Sequence, residues 1–116
     1  MKYLYLVYCN EDELPGDAAA CDKDYVRTLT EQGCLLDSEA LASIQTATTI
    51  RVRDRKLSVS DGPYAETREQ LTGYYLITAR DLNDAIRIAG NMPAARLGSI
   101  EIRPIKEMTM NEGVRT

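Results

Sequence analysis

The chain has 116 residues, 44% hydrophobic and 28% charged, and its 14 Lys and Arg against 18 Asp and Glu leave a net charge of −4. That length matches one domain, able to bury roughly two-thirds of its unfolded surface without disulfide or metal staples. A net-negative chain has no overall basic field, which argues against direct nucleic-acid or anionic-membrane partners.

Lys2 to Tyr8 reads as a first strand rich in β-formers, with Tyr3, Tyr5 and Val7 on one side and Leu4, Leu6 and Tyr8 on the other. Asn10 to Gly16 is polar, contains Pro15-Gly16, and reads as a loop. Asp17 is placed to N-cap a helix running to about Gln32, with Gly33 as its stop and Cys21, Tyr25, Val26 and Leu29 on its core stripe. Leu35 to Leu41 is a second strand. Thr48–Arg53 and Leu57–Ser60 make a hairpin with Asp54-Arg55-Lys56 at its tip. Ile50 and Val52 alternate there with Arg51 and Arg53, the period of a half-buried strand.

The turn Asp61-Gly62-Pro63-Tyr64 and a charged segment lead to a strand from Gly73 to Ala79. Asp81 caps a second helix with Leu82, Ala85, Ile86, Ala89 and Met92 on one face, and Pro93 ends it. Ile100 to Ile105 is the last strand. Residues 1–106 are expected to form the domain and 107–116 a polar tail.

The order β-α-β-hairpin-β-α-β predicts an α+β, ferredoxin-like antiparallel sheet, with two helices on one face and an inserted hairpin. The other face of such a sheet is bare. Yet the first strand and the Tyr74–Ile77 strand are apolar on both sides, unlike a sheet with one wet face. Exposing that much Tyr and Leu leaves a patch too large for a soluble monomer. A homodimer packed sheet to sheet, a dimeric α+β barrel, is the expectation.

Histidine is absent, so this chain alone supplies no imidazole base, no histidine-ligated haem and no mixed Cys/His zinc site. Cys9, Cys21 and Cys34 are odd in number and lack C-x-x-C spacing, which fits reduced, mostly buried thiols. No metal and no cofactor are expected. The apolar start is short and followed by Glu11, Asp12 and Glu13, unlike a signal peptide, and no stretch reaches membrane-span length. The cytoplasm is the expected location.

Several segments in one order carry a family resemblance: Thr49-Ile50-Arg51-Val52-Arg53, Val59-Ser60-Asp61-Gly62-Pro63-Tyr64-Ala65-Glu66, Leu71-Thr72-Gly73-Tyr74-Tyr75, and Pro93 through Pro104. The chain resembles the YCII-related family, and within it the branch named for an Asp-Gly-Pro-Phe motif, with Tyr64 in place of Phe. The resemblance implies a dimeric α+β barrel. Some relatives carry a His–Asp pair associated with catalysis, which cannot be carried over to a chain without histidine. Genes of the branch often adjoin those of extracytoplasmic-function sigma factors. By association only, a regulatory or protein-interaction module with a sigma factor as partner is therefore the alternative function.

The first reading is a small-molecule binder or a cofactor-independent acid–base enzyme of isomerase or lyase type, its pocket lying between the sheet and the Asp61 turn. Asp61 either accepts backbone N–H bonds in its turn or serves as a rigid general base. Glu66 and Glu69 add carboxylates within nine residues, a grouping that can raise a pKa or hold a hard cation, although Arg68 lies among them. Asp61 or Glu66 would be the base, and Tyr8 or Tyr64 the hydrogen-bond donor. On the last strand Ile100 and Ile102 share one face and leave Glu101 and Arg103 on the other. There they are either a self-satisfied ion pair or a wet cavity in which Arg103 clamps a small anionic ligand. Arg51 is read as a solvated hairpin side chain or an anion contact. Asp61→Asn is expected to keep the fold and abolish binding or turnover.

Overall fold

Strict alternation along the first strand, and a second run of the same kind sixty-odd residues later, build the centre of the sheet. The computed structural model describes residues 1–13 and 18–107, without the side chains of 18–22. The chain runs β1 (Lys2–Cys9), a 3₁₀ turn (Glu11–Glu13), α1 (Ala18–Glu31), β2 (Leu35–Ala40) and a second 3₁₀ turn (Ile44–Thr46). It continues through β3 (Thr48–Arg53), β4 (Lys56–Asp61), β5 (Gln70–Thr78), α2 (Leu82–Gly90), α3 (Ala94–Leu97) and β6 (Ser99–Pro104). Four strands form one antiparallel sheet in the order β2-β5-β1-β6, while β3 and β4 pair only with each other. This is an α+β chain with a ferredoxin-like arrangement.

One face of the sheet carries the helices and the core. Tyr3, Tyr5, Val7 and Cys9 of β1 and Tyr75 and Ile77 of β5 are buried there against Leu29, Ala85, Ile88, Ala89 and Met92. The chain has no Phe or Trp, so tyrosine fills the core, and its hydroxyl must find an acceptor. Tyr5 donates to the Ala85 carbonyl at 2.6 Å and Tyr25 to the Ile88 carbonyl at 2.7 Å, tying β1 and α1 to α2. Burial pushes both phenols above their ordinary pKa. Cys9 is buried and Cys34 half-buried.

Local signals end the elements as their chemistry requires. α1 closes with the Gly33 N–H on the Thr30 carbonyl and the Cys34 N–H on the Leu29 carbonyl, the paired bonds of a Schellman ending. The anticipated cap at Asp17 lies outside the described residues, as does the Cys21 side chain. At the start of α2, Asp81 accepts from the Asp84 N–H and Asp84 from the Arg80 N–H.

That double cap seats Asp84 against the protein and sets the phase of the helix. The buried stripe is therefore Ala85, Ile88, Ala89 and Met92, while Leu82 and Ile86, expected in the core, are half-exposed. Both sets satisfy the same i, i+3, i+4, i+7 spacing, and the spacing alone could not choose between them. Pro93 follows α2 but also opens the single turn α3, where a missing N–H costs nothing. Gly98 then lets β6 start hard against β1: a Cβ there would overlap the Tyr8 carbonyl and press on Cys9.

The hairpin β3–β4 departs from expectation. It turns through Asp54 and Arg55, both at positive φ (51° and 66°), as a type I′ turn requires. Its cross-strand pairs Ile50–Val59 and Val52–Leu57 make one apolar face, yet all four side chains are 57–65% exposed. The period of a half-buried strand is present, and no described element of the chain buries it. The Cα radius of gyration is 16.4 Å, against about 13 Å for a compact domain of this length.

Candidate functional site

The face of the sheet opposite the helices is open. Leu4 and Leu6 of β1 and Leu76 of β5 form its half-buried apolar centre, and they oppose Arg103, Glu101 and one another across the ladder. As the alternation on the last strand predicts, Ile100 and Ile102 pack toward the core while Glu101 and Arg103 stand on the open face. Polar groups rim the apolar centre on both sides.

On the β6 side, the Tyr8 hydroxyl donates to Glu101 Oε1 at 3.2 Å, and Arg103 Nη1 lies 3.6 Å from Glu101 Oε2. Burial first, and the Glu101 carboxylate second, raise the Tyr8 pKa, so the phenol stays a protonated donor at neutral pH. Beside this array the Ser99 hydroxyl donates to Glu69 Oε1 at 2.8 Å, and Ser99 is the cross-strand neighbour of Tyr8. On the β2 side, Tyr74 donates to Asp37 Oδ2 at 2.9 Å, and that hydrogen bond is the main cause of its raised pKa. A loose, solvent-exposed ion pair such as Glu101–Arg103 contributes little to stability. Arg103 makes no hydrogen bond within the described residues, so its fork of donors is open to a ligand.

The Asp61-Gly62-Pro63-Tyr64 segment sits at the base of the hairpin. Gly62 takes φ 107°, a conformation few side chains tolerate, and its N–H donates to the Ala47 carbonyl at 2.8 Å while its own carbonyl accepts from Thr49 Oγ1 at 2.9 Å. The two bonds lock the turn onto the start of β3. Gln70, buried, donates from one amide nitrogen to the carbonyls of Ala65 and Thr67, both at 2.9 Å, and so holds the following loop.

A cavity of about 350 Å³ lies between this turn and the sheet, walled by Leu41, Ile44, Pro63, Gln70 and Leu71 among others. Leu71 is the cross-strand partner of Tyr8, so the array and the cavity are one strand apart. A larger cavity of about 450 Å³ lies between α1 and the β2–β5 edge, lined by Val7, Val26 and Tyr75 together with Lys23, Glu39 and Tyr74 among others. Tyr74 of the β2-side rim borders it, and Tyr8, Glu101 and Arg103 line neither cavity. The smaller one, which meets the turn at Pro63 and reaches Leu71, the cross-strand partner of Tyr8, is the candidate site.

The structure thus divides the anticipated site residues in two. Tyr8, Glu101 and Arg103 come together on the open face. Arg51 and Tyr64 come together at the hairpin base, the guanidinium 5.2 Å above the ring centroid, with Tyr64 78% exposed. Asp61 is exposed at the end of β4 and Glu66 is exposed in the loop after it, neither with a side-chain hydrogen bond. The carboxylate of Asp61 does not cap its own turn. Among the described residues no three Cys, Asp or Glu side chains converge as metal ligands would, so Asp61, Glu66 and Glu69 form no cation site.

Sequence reasoning gave least weight to Glu69 and none to Ser99, Asp37 or Gln70. Glu69 and Ser99 are thirty residues apart and meet only through the ladder that sets β6 beside β1. Asp37 lies opposite Leu76 and reaches Tyr74 diagonally, a contact legible only with the β2–β5 register in hand, and an irregularity between Leu35 and Asp37 shifts that register.

A ferredoxin-like chain with an open, tyrosine- and carboxylate-rimmed sheet face is the class defined by this geometry. The model of the YCII-related domain matches residues 1–109, and the chain belongs to that family. A protein of Rhizobium meliloti (strain 1021), itself described as uncharacterized, is 34% identical over a 113-residue alignment covering 88% of this chain and 91% of the relative. Among the described residues no helix is long and apolar enough to cross a membrane.

Proposed function

We propose that the protein is a homodimeric small-molecule-binding protein whose ligand sits on the open sheet face, between the Tyr8–Glu101–Arg103 array and the Asp61 turn. The observation that carries this reading is the array itself: on a face otherwise apolar, a protonated phenol is hydrogen-bonded to a carboxylate, and an under-used guanidinium lies 3.6 Å from that carboxylate. An adjoining cavity of about 350 Å³ falls in the range of small-ligand sites. Arg103 would meet an anionic group, Tyr8 would donate to it, and Leu4, Leu6 and Leu71 would cover an apolar body. Sheet-to-sheet packing of two copies would desolvate the array and strengthen each of these contacts. Should turnover accompany binding, Glu101, hydrogen-bonded to the phenol, is the carboxylate for proton transfer, which needs no redox cofactor.

A thermal-shift screen of small carboxylates, followed by titration calorimetry, tests the reading. A ligand should raise the wild-type melting temperature. Arg103→Gln should weaken its binding at least tenfold, the scale of a lost charge-assisted hydrogen bond of about 2 kcal/mol. Asp61→Asn should bind as wild type does. Loss of binding in Asp61→Asn with full binding in Arg103→Gln would move the site to the hairpin base and refute the array.

A further inference from the structure

The β3–β4 hairpin is amphipathic, with one apolar and one polar face. Ile50, Val52, Leu57 and Val59 share one face, and Thr49, Arg51, Arg53, Lys56, Ser58 and Ser60 share the other. Apart from Thr49 every residue of the two strands is exposed. A two-stranded hairpin is at best marginally stable alone in water and needs a surface to pack on. Among the described residues of its own chain there is none. The turn at its tip adds to the cost, because Arg55 holds a positive φ that favours glycine.

Charge says what covers it. Residues 48–61 hold four of the fourteen basic side chains and two of the eighteen acidic ones, so the arm is +2 on a chain whose remainder is −6. The arm is therefore complementary, in sign and in apolarity, to the rest of the same molecule. β2 is an edge strand of the main sheet with Asp37 and Glu39 exposed on it, and Leu36 and Leu41 beside them are 48% and 47% exposed. Because the chain's own arm stands away from that margin, a second copy is the body that offers it.

We infer that the hairpin is a clasp: its apolar face packs against Leu36 and Leu41 at the β2 margin of a second copy, and Arg55 at its tip meets the carboxylates of Asp37 and Glu39 there. This deepens the proposed dimer, on which it rests, by assigning the arm as its second contact. Two arms exchanged about one two-fold axis make the contact reciprocal. They also cover the exposed sheet edge that would otherwise invite strand addition by other chains.

Sedimentation velocity on the full chain separates the two ideas. The variants are Val52→Asp/Val59→Asp on the arm and Leu6→Asp on the open face. With the clasp, the arm variant raises the dimer Kd at least a hundredfold while its far-UV circular dichroism stays that of the wild type. Raising NaCl from 50 to 500 mM should also weaken the wild-type dimer. If Leu6→Asp dissociates the dimer and the arm variant does not, the clasp is wrong and the sheet-to-sheet dimer stands. The reverse result keeps the clasp and removes the open face from the interface. An arm variant that keeps its mass but melts earlier means that residues 108–116 or another part of its own chain cover the arm. An arm variant unchanged in both means that a different protein does. Either result overturns the clasp.

Discussion

Single side chains carry most of the chemistry in this molecule, and two of them make direct predictions. Asp84 accepts from the Arg80 backbone N–H and from the Arg87 guanidinium at 2.7 Å, which together hold its pKa down to about 2. A lowered native pKa contributes stability above the unfolded value near 4, and that stability is lost as pH falls toward 2. Asp84→Asn should therefore be less stable than wild type at pH 6, and the gap should close between pH 4 and pH 2 in denaturant titrations. A constant gap across that window would mean the carboxylate charge is not what matters. Tyr5→Phe removes a buried hydrogen bond to the Ala85 carbonyl and should cost about 1 kcal/mol, read as a shift in urea midpoint at unchanged slope. How much of the residue scale was legible follows from where partners lie in the chain. Alternation on one strand was enough to set Glu101 and Arg103 on the open face. Which carboxylate Tyr8 would meet depended on the β1–β6 register, which no local pattern carries.

At the level of elements the sequence is read well where local chemistry decides and poorly where packing does. The hairpin and the Gly33 stop follow from turn residues and period, whereas β5 begins at Gln70, three residues before the expected Gly73. The stripe of α2 did not, because two rotated sets of residues fit the same spacing and the Asp81–Asp84 cap selected between them. α3 was missed because a proline after a helix signals an end, and only the geometry shows that it also begins a turn. The junction that follows supplies a sharp test. Gly98→Ala places a Cβ into the Tyr8 carbonyl and the Cys9 side chain, so β6 must shift away from β1. Overpacking of this kind costs about 1–3 kcal/mol or more. It should also disturb the Tyr8–Glu101 contact, lowering both the melting temperature and the affinity for any ligand of the array. An alanine variant with wild-type stability would show that the junction is looser than its geometry implies.

For the molecule as a whole, a recurring feature is apolar surface without a cover inside one chain. The open sheet face and the hairpin arm each present it, and the two-sided strands announced the first from sequence alone. The arm was not foreseen as exposed, since alternating Ile50, Val52 and Arg51, Arg53 reads as half-buried whether the burying surface is in the same chain or another. Fold class was accessible because periods and caps are local; of any assembly the sequence carries only a surplus of apolar faces. Both proposals require that two copies associate. Size-exclusion chromatography with light scattering at micromolar concentration measures that directly for the 13.0 kDa chain. A mass of about twice that value is the predicted result, and a monomer under those conditions would contradict the account.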